Sequence, residues 1–439
     1  LQGPLSDIVV LDLSRALAGP HGAQMLGDLG AMVIKVEHPG GGDESRGWGP
    51  PFVGPQGDIS TYFLATNRNK RSITLDLKSE EGAALLTRLV RQSDVLIENF
   101  RTGVLDRLGF PVEHLHELNP RLVILSITGF GHDGPEGGRP GYDQIAQGEA
   151  GLMSLTGPSP DEPYRVGASV ADLLAGIHGA YGVVAALYER ERTGRGKVVR
   201  TSLLASVVGV HSYHGTAWTV GRQVPVAAGN HHASIAPYGA FRCADGVIQI
   251  AVANDAQWSR LAPLLGIDPA TPKYAVNRER RAHRDELIAD MERALGVHDR
   301  AHWLAVLAEA GIPAGAVRTL DEVYAWEQTR SQDLVVTVDH PVLGPIELPG
   351  SPLRFDGAPP AEHLPPPALG QDDQAVREWL ARREERRPAA GVEERPGAGA
   401  GPEPGRTAAD AAQSGPRVPE GAGTSGRQAY LANAEKREG

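Results

Sequence analysis

The chain of 439 residues carries 43 lysines and arginines against 54 aspartates and glutamates, a formal net charge of −11. That balance argues against nucleic acid as a main partner, because no broad positive field is available to neutralise phosphates; a small anion in a local basic pocket stays open. A single cysteine, Cys243, makes no internal disulfide and no thiolate metal site, and 41% hydrophobic residues suffice to bury more than one small core.

The amino-terminal LQGPLSDIVVLDLS lacks the basic and apolar regions of a signal peptide and reads as a domain start. No apolar run approaches the roughly 20 residues that span a bilayer. A soluble, cytoplasmic protein without a membrane partner is expected. The run 8–14 (IVVLDLS) reads as a buried strand, Pro20 opens a helical pattern that ends at Gly30, and 32–38 (MVIKVEH) is a second strand. Strands follow at 72–77, 94–100 and 121–130 with helical segments between them. Ser79 caps one of these helices, and Glu80 and Glu81 occupy its first turn. Such alternation predicts an α/β fold, a Rossmann-like domain whose mostly parallel sheet is covered on both faces.

Residues 173–192 form a predicted helix, apolar nearly all round as far as Glu189 and therefore buried. Ala175, Gly179, Gly182 and Ala186 share one face. Each interior glycine costs about 0.8–1 kcal/mol relative to alanine, so this helix needs a neighbour whose backbone comes close. After a strand at 198–204 the texture changes. Residues 238–253 read as a hairpin turning at Asp245-Gly246, followed by helical patterns over 255–265, 283–295 and 300–310. The expected division is a large domain over 1–225, continued by 320–387, and a smaller α+β domain over 226–319. A further hairpin is expected at 334–348. Residues 388–439 are rich in Pro, Gly and Ala with almost no large apolar side chains, and are expected to be disordered.

No phosphate-binding GxxxxGK[ST], HExxH, CxxC or GxSxG motif is present, and AGPHG, not GxGxxG, follows the first strand. His231 and His232 lack the further ligands a metal site needs, so no metal is expected. Basic residues cluster in NRNKRS (67–72) and recur at Lys78, Arg101 and Arg107. They form either a solvated face or a groove for phosphates. Asp172 stands among small and apolar residues in VGASVADLLAG (166–176). Locally it reads as a helix N-cap. The helix dipole there favours the anion while apolar burial raises its pKa, and a poorly solvated carboxylate is a usable nucleophile.

Taken together, PLSDIVVLDLSRALAGP (4–20), LGDLGAMVIKVEHP (26–39), NRNKRSITLDLKSEEG (67–82), DVLIENFRTGVLDRLGF (94–110), NPRLVILSITGFG (119–131), GYDQIAQGEAGLMSLTG (141–157), VGASVADLLAG (166–176), ALYERERTGRGKVV (186–199), GNHHASIAPYGAFRCADG (229–246) and HPVLGPIELPGSPLRF (340–355) resemble the family III CoA-transferases over about residues 4–380. The resemblance implies an interlocked homodimer, an acyl-CoA and a small carboxylic acid as ligands, and no prosthetic group. It places the family's catalytic aspartate on Asp172, which attacks the donor thioester to give an anhydride and then an aspartyl-CoA thioester. It implies coenzyme contacts at Leu17, Ala18, His38, Leu75 to Lys78, Asn99, Phe100, Arg101, Arg107 and the 139–143 segment with Arg139, Tyr142 and Asp143. His38 replaces an arginine of the formyl-CoA transferases, and Pro140 a lysine. The loop of Gly229, Asn230, His231 and His232 is the candidate wall of the thioester pocket.

The related α-methylacyl-CoA racemases pair the aspartate with a histidine at the position of Tyr142, and a phenol of pKa about 10 is a poor proton exchanger at neutral pH. Transfer is favoured over racemisation; an idle CoA-binding scaffold is the third reading. The segments at 141–158 and 231–241 look most like the succinyl-CoA:dicarboxylate (glutarate, hydroxymethylglutarate) branch. Arg165 either holds a distal carboxylate of such an acid or makes a structural salt bridge.

Overall fold

Short runs of valine, isoleucine and leucine build a six-stranded parallel sheet: β1 (Val9–Asp12), β2 (Met32–Glu37), β5 (Lys70–Thr74), β6 (Val95–Glu98), β7 (Val123–Thr128) and β8 (Val198–Ser202). Between β2 and β5 lies a two-stranded ribbon, β3 (Phe52–Val53) and β4 (Ile59–Ser60). The structure is a computed structural model that describes residues 1–360 and 362–386. The segment expected to be disordered, 388–439, lies outside the described residues. The sheet order is β5-β2-β1-β6-β7-β8. The chain therefore builds outward from β1 in one direction, returns to its other side at β6, and leaves a crevice between the two.

Strand residues alternate between two apolar layers. Val10, Val33, Ile97 and Leu125 pack with α1 (Ala18–Asp28) and α7 (Val170–Thr193). Leu11, Ile34, Leu96 and Ile124 pack with α3 (Glu80–Gln92) and α5 (Val112–Leu118) on the opposite face. Helices on both faces are why these strands read as continuous apolar runs. Ser79 caps α3 as expected, its Oγ accepting from the Gly82 amide at 3.0 Å. The strand expected at 72–77 instead begins at Lys70, whose buried ion pair lets a charged residue enter the sheet. The open edge of β5 is covered by the returning chain. Asp372 accepts from the Ser72 amide at 2.9 Å and Asp373 from the Thr74 amide at 2.8 Å.

Residues 238–316 build a second sheet. The hairpin of β9 (Tyr238–Cys243) and β10 (Gly246–Ala251) is joined by β11 (Ala314–Ala316), and four helices between 255 and 309 bury Phe241, Ile248, Trp258, Leu261, Leu287, Met291 and Trp303 in a core of their own. Cys243 pairs with Gly246, so the turn is Ala244-Asp245, one residue earlier than expected. The hairpin expected at 334–348 is β12 (Val335–His340) with β13 (Gly344–Pro349).

Helix α7 is the central element. At 24 residues it is long and apolar enough to cross a membrane, which corrects the expectation that no segment is; it is packed instead against α1, β7 and β8. Its glycines explain the packing. A Cβ on Gly176 would stand 2.6 Å from the Ala18 carbonyl oxygen, and one on Gly22 of α1 would stand 3.0 Å from the Gly176 oxygen. The two backbones thus meet at Gly22 and Gly176. Gly179 and Gly182 instead face the Leu125 and Val199 side chains. Replacing Gly176 with alanine drives a methyl into a fixed carbonyl. Thermal or urea unfolding of Gly176→Ala is expected to show a loss of about 1–3 kcal/mol, and an unchanged midpoint would refute this account of the contact.

Candidate active site

The loops at the carboxyl ends of β1, β2, β6 and β7 enclose a cavity of about 650 Å³ over the crevice between β1 and β6. Arg15 to Ala18, Glu44 and Trp48, Asn99 to Thr102, Thr128 and Gly129, and Gly138 to Gly141 line it, together with Tyr62, Tyr142, Asp143, Arg165, Ser169 and Asp172. A second cavity of about 350 Å³ is lined by His38, Leu75 to Lys78 and Leu108. The two share Arg15, Phe100 and Val104, so they adjoin. Placement outside the carboxyl ends of parallel strands, at the switch in strand order, is where α/β sheets bind ligands.

The basic cluster at 67–72 is not a phosphate groove. Arg68 and Lys70 are buried, Arg68 against Asp28 and Lys70 against Asp12 with Nζ–Oδ2 at 3.0 Å. Lys70 Nζ also donates to the Pro20 carbonyl at 2.8 Å and to Asn67 Oδ1 at 2.9 Å. Burial of the Asp12 carboxyl opposes its ionisation, but the adjacent Lys70 and Lys35 charges outweigh that and hold it low. Through Asp12 and the Pro20 carbonyl, Lys70 braces the segment after β1, part of which forms a floor of the cavity. The nearby Asn99 clamps the same floor: its Oδ1 accepts from the Arg15 amide at 2.9 Å and its Nδ2 donates to the Arg15 carbonyl at 2.7 Å.

Asp172 is not the N-cap of α7. The helix starts at Val170 with Ser169 at the cap position, and Asp172 is the third helical residue. The job expected of its side chain is done from another helix, α6 (Asp143–Glu149). Asp143 Oδ1 accepts from the Ala171 amide at 2.8 Å, while Oδ2 accepts from Gln147 Nε2 at 2.8 Å. Gln147 Oε1 in turn accepts from the Val166 amide at 2.8 Å, fixing the approach to the helix. The Asp172 carboxylate is left half-buried in the cavity wall. Burial, and then the like charge of Asp143, push its pKa up to about 7. The half-buried Tyr62 phenol is raised as well, by burial and then by Asp172, so at neutral pH it remains a hydrogen-bond donor.

The sequence model of CoA-transferase family III matches residues 5–373. The chain is 40% identical over 385 residues to the succinate–glutarate CoA-transferase of Agrobacterium fabrum, covering 85% of this chain and 94% of that protein. It is 38% identical over 384 residues to the acetyl-CoA:oxalate CoA-transferase of Acetobacter aceti, covering 87% and 96%. A crystal structure of a CAIB/BAIF family protein from Brucella suis aligns with a TM-score of 0.79 at 39% identity, over 87% of this chain and 100% of that one. The chain belongs to CoA-transferase family III. As a member it is an enzyme that moves coenzyme A between an acyl-CoA and a carboxylic acid, with the thioester as substrate. Among the described residues no group of three or more histidine, cysteine, aspartate or glutamate side chains is placed to hold a metal ion.

In this transferase most residues expected at the coenzyme gather around the two cavities, with Arg165, expected at the substrate, and Asp172, expected to be catalytic. Leu17, Ala18, Asn99, Arg101, Arg139, Tyr142, Asp143, Arg165 and Asp172 line the larger, and His38, Leu75 and Lys78 the smaller; Phe100 lines both. Three expectations change. Arg107 is exposed at the end of a short helix (Val104–Arg107) and lines neither cavity. Arg139 is engaged by Glu149 at 2.8 Å and Glu136 at 3.3 Å, so its charge is already balanced. Gly229, Asn230, His231 and His232 line a separate cavity of about 520 Å³ with Tyr213 and Tyr238, away from Asp172 of the same chain. Sequence reasoning missed Arg15, Trp48 and Tyr62. Arg15 lies over the Phe100 ring at 5.0 Å and borders both cavities. Its place just past the first strand was the available signal.

The raised Asp172 pKa makes a stability prediction. The unfolded chain releases this proton near pH 3.8 and the folded chain only near 7. The stabilisation is therefore complete below about pH 3.8 and lost as pH rises to about 7. A displacement of this size corresponds to roughly 4 kcal/mol at most. Asp172→Asn is expected to be about 1–3 kcal/mol more stable than wild type at pH 8, with the gain vanishing towards pH 4. Denaturant titrations at the two pH values measure it, and an equal effect at both would contradict the assignment.

Proposed function

We propose that this chain transfers coenzyme A from succinyl-CoA to a dicarboxylic acid through Asp172. The observation that carries the proposal is a poorly solvated carboxylate, with no cation beside it, in the wall of a cavity that also holds Arg165. The Arg165 guanidinium donates to the Gly167 carbonyl at 3.0 Å and pairs with no acid among the described residues. It is available to grip the far carboxylate of a diacid. The glutarate and oxalate enzymes named above both act on diacids, which supports that class of acceptor.

In the proposed sequence an Asp172 oxygen attacks the thioester carbonyl carbon and the CoA thiolate leaves, giving a mixed anhydride. The thiolate then attacks the Asp172 carbonyl carbon, releasing the donor acid and forming an aspartyl-CoA thioester. The acceptor carboxylate attacks that thioester, the thiolate leaves again, and its attack on the new acyl group yields the product and frees Asp172. Every intermediate is open to hydrolysis, so the half-burial of Asp172 that raises its pKa also shields the reaction from water. A protonated Asp172 is no nucleophile, so kcat/KM is expected to rise with pH through about 7. The partnered Asp143 contributes to that position, and Asp143→Asn is expected to move the rise to lower pH.

The same α7 supports a homodimer. Ile177, Tyr181, Val184 and Tyr188 form an apolar stripe along its outer face, 40%, 75%, 39% and 69% exposed. A patch of this kind on a helix fits burial by a second copy. We take the enzyme to be soluble and cytoplasmic, with no nucleic-acid or membrane partner, and its acidic charge supports the first of these. Tyr181→Glu with Tyr188→Glu is expected to yield monomers in sedimentation velocity.

The test of function is a product assay by mass spectrometry, with succinyl-CoA or acetyl-CoA as donor and glutarate, oxalate, malate, mesaconate or formate as acceptor. New diacid thioesters are expected from wild type, with a loss of at least about 10³-fold in Asp172→Ala. Arg165→Ala is expected to weaken diacids about tenfold relative to formate. Transfer that survives in Asp172→Ala would end the nucleophile assignment, and unchanged acid preference would end the role of Arg165.

A further inference from the structure

The loop from Ser14 to Leu17, with Ala18 at the start of α1, borders the Asp172 cavity, and its Ala16 adopts φ of +67°. A side chain rarely tolerates that conformation, and glycine would hold it without strain. Ala16 stays there because a buried carboxylate seizes its amide: Asp43 Oδ1 accepts from Ala16 at 3.1 Å. The same oxygen accepts from the Ser45 amide at 2.9 Å and the Ser45 hydroxyl at 2.8 Å. Asp43 Oδ2 accepts from Lys35 Nζ at 2.8 Å, and Lys35 also donates to the Ser14 carbonyl at 3.0 Å. Both charged side chains are wholly excluded from solvent. The Asp43 amide donates to Glu37 at 2.9 Å, and Arg46 grips Glu37 with two bonds of 2.7 Å, so the carboxylate is itself held in place.

Neither device favours folding by itself. A buried ion pair is often no more stable than an apolar pair of the same volume, and a left-handed alanine is strained. Yet both converge on one loop, whose Leu17 and Ala18 line the cavity with Asp172. Asp43 also fixes the neighbouring wall through Ser45, which lies between the cavity-lining Glu44 and Trp48. Strain maintained by the surroundings gathers where geometry serves function.

We propose that Asp43, paired with Lys35, is a positioning residue for coenzyme A transfer: by holding Ala16 left-handed it sets Arg15 to Ala18 at the height that brings a bound thioester to Asp172. The proposal rests on Asp172 being the nucleophile. Small misplacements of a reacting carbonyl cost rate more than affinity. Asp43→Asn puts an amide hydrogen against the Lys35 ammonium and cannot keep both oxygens occupied as now. It is expected to lower kcat about 10–100-fold while KM for the acyl-CoA stays within about threefold. Adding Ala16→Gly makes the left-handed conformation inexpensive and is expected to restore at least about tenfold of that loss. A residue that merely stabilises the fold would not be rescued in kcat by this change.

Wild type, Asp172→Ala, Asp43→Asn and Asp43→Asn/Ala16→Gly are assayed side by side, with circular dichroism to confirm folding. Should Asp43→Asn not fold, Lys35→Met/Asp43→Asn removes both charges together and takes its place with the same expectation. Transfer by wild type with kcat unchanged in the Asp43 variant overturns the positioning role alone. A fall in kcat that Ala16→Gly does not relieve also overturns it. Wild-type transfer that survives in Asp172→Ala, or no transfer by wild type, removes the reading on which it rests.

Discussion

Two helices that touch through glycine set the distance on which this site depends. Gly176 lies one turn beyond Asp172 on α7, and its missing side chain admits the Ala18 carbonyl at the start of α1. Ala18 lines the cavity that Asp172 faces. The proposed nucleophile and the loop expected to carry the coenzyme are thus tied together by one backbone contact. Any side chain at Gly22 or Gly176 would press on the backbone of the other helix and widen the gap between Asp172 and that loop. Separation between packed helices is set by the residues at their point of contact. The glycines cost helix stability and are retained for what they bring together.

The N-terminal turn of α7 would ordinarily favour an anion, by about 0.3–1 kcal/mol at an exposed site. Here burial and Asp143 win: a carboxyl raised from 3.8 to about 7 reflects a larger opposing contribution, roughly 4 kcal/mol. The reason is a division of labour. Asp143 satisfies the Ala171 amide and Gln147 steadies the incoming chain. Asp172 therefore need not fold back on its own helix, and its oxygens remain directed to the cavity.

The strands of the main sheet were legible because burial on both faces leaves their sequence apolar throughout. Ser79 was legible because a cap is a local event. What failed were features completed from far away in the chain. Asp172 looked like a cap because the residue that relieves it of that role, Asp143, belongs to a different helix. NRNKRS looked like an exposed basic patch because its partners lie 40 and 58 positions away, at Asp28 and Asp12. Arg139 was expected at the coenzyme, and its pairing with Glu149, ten positions on, was not visible in the sequence. Charge can be counted in a sequence, but compensation of charge is a property of the fold. The gathering of Leu17, Asn99, Tyr142 and Asp172 around one cavity came through resemblance, since no local pattern links them.

Two aspartates near the same loop show how environment decides role. Asp43 and Asp172 are both taken from water, which alone would raise both. At Asp43 that tendency is overcome by the Lys35 charge and by donors from Lys35, Ser45 and Ala16, and its pKa falls to about 2. At Asp172 no such donor offsets burial, the like charge of Asp143 adds to it, and the value climbs to about 7. Asp43 is ionised at neutral pH and never free: each oxygen already accepts a hydrogen bond, so attack on a carbonyl would first have to break up the loop. Asp172 ionises only as pH rises through about 7, but its lone pairs are uncommitted and its solvation is thin. A carboxylate of that kind has the most to gain from bonding to carbon, and an anhydride made from it has little water nearby to destroy it. Environments that separate two like groups in this way mark their separate tasks: on the proposed reading, the satisfied aspartate holds geometry and the unsatisfied one reacts.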